Sequence, residues 1–205
     1  MRFVPYEYQR YCTEYIKTHP IAALFLDMGL GKTVITLSAI KDLMLETFEV
    51  SKVLIIAPLR VARDTWPAEI EKWDHLKGLD ISVIVGDVKT RIAVHHPAMI
   101  YIVNRENIRW LVEYYEKNGM RWDFSMIVID ELSSFKNYQS QRFKFLRKVR
   151  PFVKRWVGLT GTPSSNGLMD LWAEIGILDG GERLGKFIGR YREAYFKAGA
   201  LNPAT

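Results

Sequence analysis

Cysteine is nearly missing from this 205-residue chain: Cys12 is its only one. That excludes an internal disulfide and a cysteine-built zinc site, and it fits a reducing, cytoplasmic setting. Long apolar runs are missing too. The longest, such as Ile21–Leu26, are far short of the roughly 20 residues of a membrane span. The opening MRFVPYEYQR has no apolar secretory core, so no leader is expected. Acids are missing from one stretch. Between Leu132 and Met169 there are none, against eight bases: Lys136, Arg142, Lys144, Arg147, Lys148, Arg150, Lys154 and Arg155. Residues 1–131 carry a net charge of −2 and residues 132–205 a net of +8. Such asymmetry suggests a polyanion, most simply nucleic acid, although a solvated helix face gives the same composition. No repeat or low-complexity stretch is present, and an apolar share of 48% excludes whole-chain disorder.

What is present is an alternation of short apolar runs and amphipathic stretches. Strands are expected at Ala22–Leu26, Val53–Ala57, Ile81–Val85, Met99–Val103, Met126–Ile129 and Trp156–Leu159. Helices are expected at Lys32–Glu46, Pro67–Asp74, Val88–His95, Glu106–Asn118 and Gln139–Val149, with Thr65, Asp87 and Asn104 as N-caps. Runs apolar on both faces, separated by helices, imply an α/β domain with a mainly parallel sheet. Ligands bind beyond the carboxyl ends of such strands. Residues 168–198 read as helix with glycine breaks at Gly180-Gly181 and Gly185, and as the start of a helical extension. The expected division is 1–165 for the nucleotide lobe and 166–205 for that extension, within a chain expected to be a fragment.

The strongest motif is Asp27-Met28-Gly29-Leu30-Gly31-Lys32-Thr33, placed between a strand and a helix. Glycines let backbone N–H groups converge on phosphate oxygens, a lysine neutralises the β and γ phosphates, and the adjacent hydroxyl binds Mg²⁺. The match is to the short Gly-x-Gly-Lys-Thr form, because Leu26 stands where the full consensus has glycine. The second motif is Asp130-Glu131 at the end of an apolar run. Asp130 suits Mg²⁺ and Glu131 suits the general base on an attacking water. The third is Leu159-Thr160-Gly161-Thr162-Pro163, whose hydroxyls can bond the acidic pair, though the same residues make an ordinary turn. Cys12 is expected as packing. The pair His95-His96 is expected to be a helix end, and Phe143, Phe145, Leu146 and Val149 a core stripe.

In this order the motifs DMGLGKT, Leu54–Leu59 (LIIAPL), Asp130-Glu131, Lys136-Asn137 and LTGTP resemble helicase superfamily two, closest to the Swi/Snf-like DNA-dependent ATPases in their compact bacterial and phage forms. The resemblance covers nearly the whole chain. It implies a RecA-like lobe using ATP and Mg²⁺, with Gln9 reading adenine and Trp66, Glu69 and Trp73 as the helix after motif Ia. It also implies duplex DNA held through its phosphates, near Arg60 and Arg63, with Arg142, Arg147 and Lys148 as further candidates. The motif after the acidic pair departs from the family: Leu132-Ser133 replaces Ala-His, so Ser133 takes the coupling position beside Thr160, Gly161 and Thr162. A second RecA-like lobe with its arginine finger is implied but has no counterpart in these residues. Two other readings stay open on the residues alone: a small-molecule kinase, and a DNA-binding module with a vestigial loop.

Overall fold

The computed structural model describes residues 1–87, 94–163 and 167–196. Six strands, β1 (Ile21–Phe25), β2 (Val53–Ala57), β3 (Ile81–Ile84), β4 (Ile100–Asn104), β5 (Met126–Asp130) and β6 (Arg155–Thr160), form one sheet in the order β1-β6-β5-β2-β4-β3. Every pairing is parallel. The strands are apolar on both faces because both faces are covered. On one face lie α1 (Glu7–Thr18), α2 (Lys32–Leu45) and α3 (Trp66–Lys72); on the other lie α4 (Ile108–Lys117), α5 (Gln141–Val149), α6 (Met169–Asp179) and α7 (Ile188–Tyr195). Side chains alternate between the two layers: Val53 and Ile55 of β2 join the first, Leu54 and Ile56 the second.

Helix α2 is central to the first layer, with every residue from Val34 to Ile40 buried. Two of its buried hydroxyls bond within the helix: Thr36 Oγ1 donates to the Lys32 carbonyl and Ser38 Oγ to the Val34 carbonyl, both at 2.8 Å. Cys12 is buried, and burial raises its thiol pKa, as suits packing rather than reactivity. Phe143, Leu146 and Val149 are buried, and Phe145 is partly buried beside them.

Strand β2 has the expected limits, and the limits of the other five strands differ from the expected ones by no more than one residue. Two expected caps are corrected. Thr65 has helical backbone angles and makes no cap bond, because a π turn (Val61–Thr65) runs straight into α3. Asn104 opens a 3₁₀ turn (Arg105–Asn107) rather than α4, and its amide donates to Glu106 instead. Helix α5 starts at Gln141, two residues later than expected, because the Ser140 hydroxyl caps Phe143 N–H. The helix expected at Val88–His95, with its cap Asp87, falls largely on residues 88–93, outside the described residues. In the second half, α6 ends at Gly180, whose left-handed φ of 73° stops the helix.

Arg155 shows how the fold uses a buried charge. Its guanidinium donates to the Ile16 and Lys17 carbonyls at 3.2 and 2.9 Å and pairs with Glu49, which ties β6 to the end of α1. Gly158, in the middle of β6, leaves the space that Leu132 and Leu178 fill: a Cβ there would lie 2.7 Å from one and 2.9 Å from the other. Both leucines are buried to within 1%. Gly158→Ala is therefore expected to destabilise the chain by about 1–3 kcal/mol through overpacking, read from the midpoint of urea unfolding. An unchanged midpoint would show that this packing has slack.

Candidate nucleotide site

The turn after β1 is built on two left-handed glycines, Gly29 (φ 82°) and Gly31 (φ 78°). Only glycine adopts such angles freely. Gly31 also has no room for a side chain, since a Cβ would lie 2.7 Å from Gln9 Nε2. Helix α2 begins at the next residue, so its free first-turn N–H groups and its positive dipole end open at this turn. Lys32 Nζ donates to the carbonyls of Leu26 (2.7 Å) and Asp27 (3.0 Å), folding the lysine over the loop. The Leu30 carbonyl turns toward α1 instead, accepting from Gln9 Nε2 at 3.4 Å and from the Tyr8 hydroxyl at 3.2 Å. Gln9 is buried, and its Oε1 accepts the Tyr6 N–H at 2.9 Å, so one amide N–H is left for a further partner.

Asp130 and Glu131 sit one strand beyond β6 and are held differently. Asp130 Oδ2 accepts the Trp66 indole N–H at 2.9 Å. Burial pushes the Asp130 carboxyl above the ordinary carboxylate range; the Trp66 bond, the Glu131 backbone bond and Lys32 oppose this, while the Glu131 charge adds to it. Glu131 has left-handed angles (φ 61°, ψ 63°), unusual for a residue with a side chain. Its Oε1 accepts from the Ser133 hydroxyl and, at 3.1 Å, from the fully buried Thr160 hydroxyl. Thr160 Oγ1 in turn accepts the Thr162 N–H at 3.1 Å. The Thr160 carbonyl accepts Leu26 N–H at 3.2 Å, and Gly161 lies so close to the loop that a Cβ would be 3.3 Å from the Leu26 carbonyl. The glycine turn, the acidic pair and the TGT turn are thus joined through hydrogen bonds and close contacts.

One cleft of about 710 Å³ is lined by Gln9, Met28, Gly29, Gly31, Lys32, Thr33, Asp130 and Glu131. The rest of its wall includes Met1–Val4 and Tyr6 on one side and, on the other, Thr65, Lys72 and the Glu69 and Trp73 of the helix expected after motif Ia. The N-terminal amine donates to the Lys72 carbonyl at 2.6 Å, Phe3 packs edge-on against Trp73, and the Trp73 indole donates to Glu69 at 2.7 Å. No group of three His, Cys, Asp or Glu side chains that could hold a metal occurs among the described residues. The residues present fit a magnesium–nucleotide complex, whose phosphates supply most of the oxygens, better than a metal caged by protein alone. His95 contacts Tyr114 at 3.0 Å and belongs to no such group.

The basic candidates are not gathered in one place. Arg60 is exposed in the turn after β2, and Arg63 nearby is held by both Asp64 oxygens at 2.8 and 2.9 Å. Arg142, Arg147 and Lys148 lie on α5, in the opposite layer. Arg142 covers the Phe135 ring, Arg147 is exposed, and Lys148 pairs with Glu116 at 3.2 Å. The stretch without acids in sequence therefore meets acids in space: Asp170 faces Lys136 at 3.8 Å, and Glu49 pairs with Arg155.

An all-parallel sheet, a glycine turn running into α2 and an acidic pair one strand away define a RecA-like P-loop lobe. The family model of the SNF2-related domain matches residues 11–180, and the chain belongs to that family. It is 39% identical over 202 residues to protein p41 of Acyrthosiphon pisum secondary endosymbiont phage 1, covering 95% of this chain and 43% of that protein. It is 32% identical over 178 residues to the chromodomain-helicase-DNA-binding protein 3 homolog of Caenorhabditis elegans, covering 77% of this chain and 10% of that one. The chain thus spans less than half the length of these relatives. In fold it resembles the Sulfolobus solfataricus SWI2/SNF2 ATPase core, solved in complex with dsDNA, at a TM-score of 0.75 and 24% identity over 94% of this chain and 39% of that one. No helix among the described residues is long and apolar enough to cross a membrane.

Proposed function

We propose that this chain is the ATP-binding lobe of a DNA-dependent ATPase, a helicase or duplex translocase of the Swi/Snf-like group, with residues 1–165 as the lobe and 166–205 beginning a helical extension. In the whole protein a second RecA-like lobe would close over the nucleotide. The observation that carries this reading is one cleft lined by the glycine turn, Lys32, Thr33 and both acids of the pair. The small-molecule kinase reading loses ground to membership of the SNF2-related family, and the vestigial-loop reading to the intact set of Lys32, Thr33, Asp130 and Glu131 in one cleft.

In this reading each residue of the cleft has a role. Backbone N–H groups of Met28 to Lys32 cradle the phosphates, and Lys32 Nζ leaves its carbonyls to neutralise the β and γ oxygens. Thr33 and Asp130 would hold Mg²⁺, which would neutralise phosphate charge. Glu131 Oε1 is occupied by the Ser133 and Thr160 hydroxyls, so Oε2 is the oxygen that takes the proton from water. Ser133, Thr160, Gly161 and Thr162 then connect that carboxylate to the loop at Leu26. Gln9, with one N–H beyond its bond to the Leu30 carbonyl, would meet the adenine edge. The DNA partner is supported by the names of the relatives and by the exposed Arg60 and Arg147, which suit phosphates more than base edges.

Three outcomes are expected. Lys32→Ala should weaken ATP binding by about 10- to 100-fold, the loss of a charge-assisted contact worth about 1.5–3 kcal/mol; equal affinities in titration calorimetry would exclude the loop as a phosphate site. Binding of duplex DNA should be sequence-independent and should fall steeply between low and physiological salt, as counterion release requires. Gel shifts that ignore salt, or that favour one sequence, would contradict phosphate recognition. Hydrolysis by residues 1–205 alone should be very slow, since a partner arginine contributes about 10³–10⁵ in rate, and a lobe carrying one should restore DNA-stimulated turnover. Glu131→Gln should then keep ATP binding and lose turnover. Brisk DNA-stimulated hydrolysis by this chain alone would mean that an arginine within it completes the site.

A further inference from the structure

Asp130 is gripped from a distance of 64 residues by Trp66, whose place in the expected helix after motif Ia does not indicate this bond. Trp66 is the first residue of α3 and is fully buried, among the largest side chains to be so. Its indole Nε1 donates to Asp130 Oδ2 at 2.9 Å. Its backbone is fixed as well, because the Trp66 N–H donates to the Val61 carbonyl and closes the π turn that follows Arg60. A ring packed this tightly cannot turn away, so its N–H is a rigid donor.

A carboxylate with one oxygen pinned cannot rotate freely about its Cβ–Cγ bond. The other oxygen is then presented in one direction, and the ordering cost is met by the fold rather than at the moment of binding. This matters here because few protein atoms are available to a cation. Among the described residues no trio of ligating side chains exists, and Asp130 and Thr33 are the candidates in the cleft. We propose that Trp66 is a positioning residue for the divalent cation of the nucleotide complex, holding Asp130 so that its second oxygen faces the cation. This inference rests on the nucleotide reading above. It assigns Trp66 an effect on metal-dependent binding and none on the nucleotide itself.

The test uses Trp66→Phe, which keeps an aromatic ring in the core and removes the N–H. Nucleotide affinity of the 205-residue chain is measured by calorimetry in EDTA and in Mg²⁺. In EDTA the variant should match the parent within about twofold. The gain in affinity brought by Mg²⁺ should shrink by about tenfold, the scale of a lost hydrogen bond to a charged group. A purely structural role would weaken both conditions equally, and that result overturns the proposal, as does an unchanged Mg²⁺ gain. A parent chain whose nucleotide binding ignores Mg²⁺ would overturn the metal reading of the cleft itself, and this proposal with it. If the variant does not fold, the parent answers alone. With its six tryptophans labelled at the indole nitrogen, the N–H signal displaced by Asp130→Asn identifies Trp66. Mg²⁺ added to the nucleotide-saturated parent should move that signal, and a signal that stays still would overturn the proposal.

Discussion

The site depends on the insertion of β6 between β1 and β5. These two strands are separated by about 100 residues of chain, yet both pair with β6 in parallel. The register sets Phe25 opposite Thr160 and Asp130 opposite Leu159. Three strands therefore end at one edge, where the glycine turn, the acidic pair and the TGT turn follow them. Thr160 lies between the other two and bonds both ways, through its carbonyl to Leu26 and through its hydroxyl to Glu131. Gly158, two residues earlier, keeps the neighbouring layer tight by leaving room for Leu132 and Leu178.

The two acids are neighbours in sequence but differ in environment. Asp130 is partly buried and receives a fixed indole donor, while Glu131 is turned out of the strand by left-handed angles that cost on the order of 1–3 kcal/mol. Two hydroxyls on one oxygen of Glu131 hold it in that strained position. Ser133 supplies a hydroxyl at a position where the wider family often has histidine. A serine at this spacing reaches the carboxylate itself, so the link is direct and short.

The charge pattern has a different outcome in space from its outcome in sequence. The acid-free segment spreads over α5, β6 and their connections, and the rest of the fold supplies it with Asp170, Glu116 and Glu49. Arg155 becomes a buried strut and Arg150 covers Trp156, with its guanidinium partly desolvated. What is left for an external polyanion is a smaller set, with Arg60 and Arg147 exposed on different layers.

The sequence by itself determined the strand and helix alternation, because runs such as Val53–Ala57 are apolar at every position and only a sheet covered on both faces buries them. It also determined the glycine turn, since Gly29 and Gly31 stand where left-handed angles are needed, and the acid pair at the end of β5. Short-range chemistry decides these features, so they are legible locally. Strand order, the walls of the cleft and the partners of each charge were decided only by tertiary structure. Thr65 has a capping side chain but becomes part of a continuous π-to-α run. The indole of Trp66 reaches Asp130 only because β2 and β5 are adjacent in the sheet. A hydrogen bond between residues 64 positions apart leaves no periodicity in the sequence, and burial, which makes that bond strong, exists only once both layers have closed on the sheet.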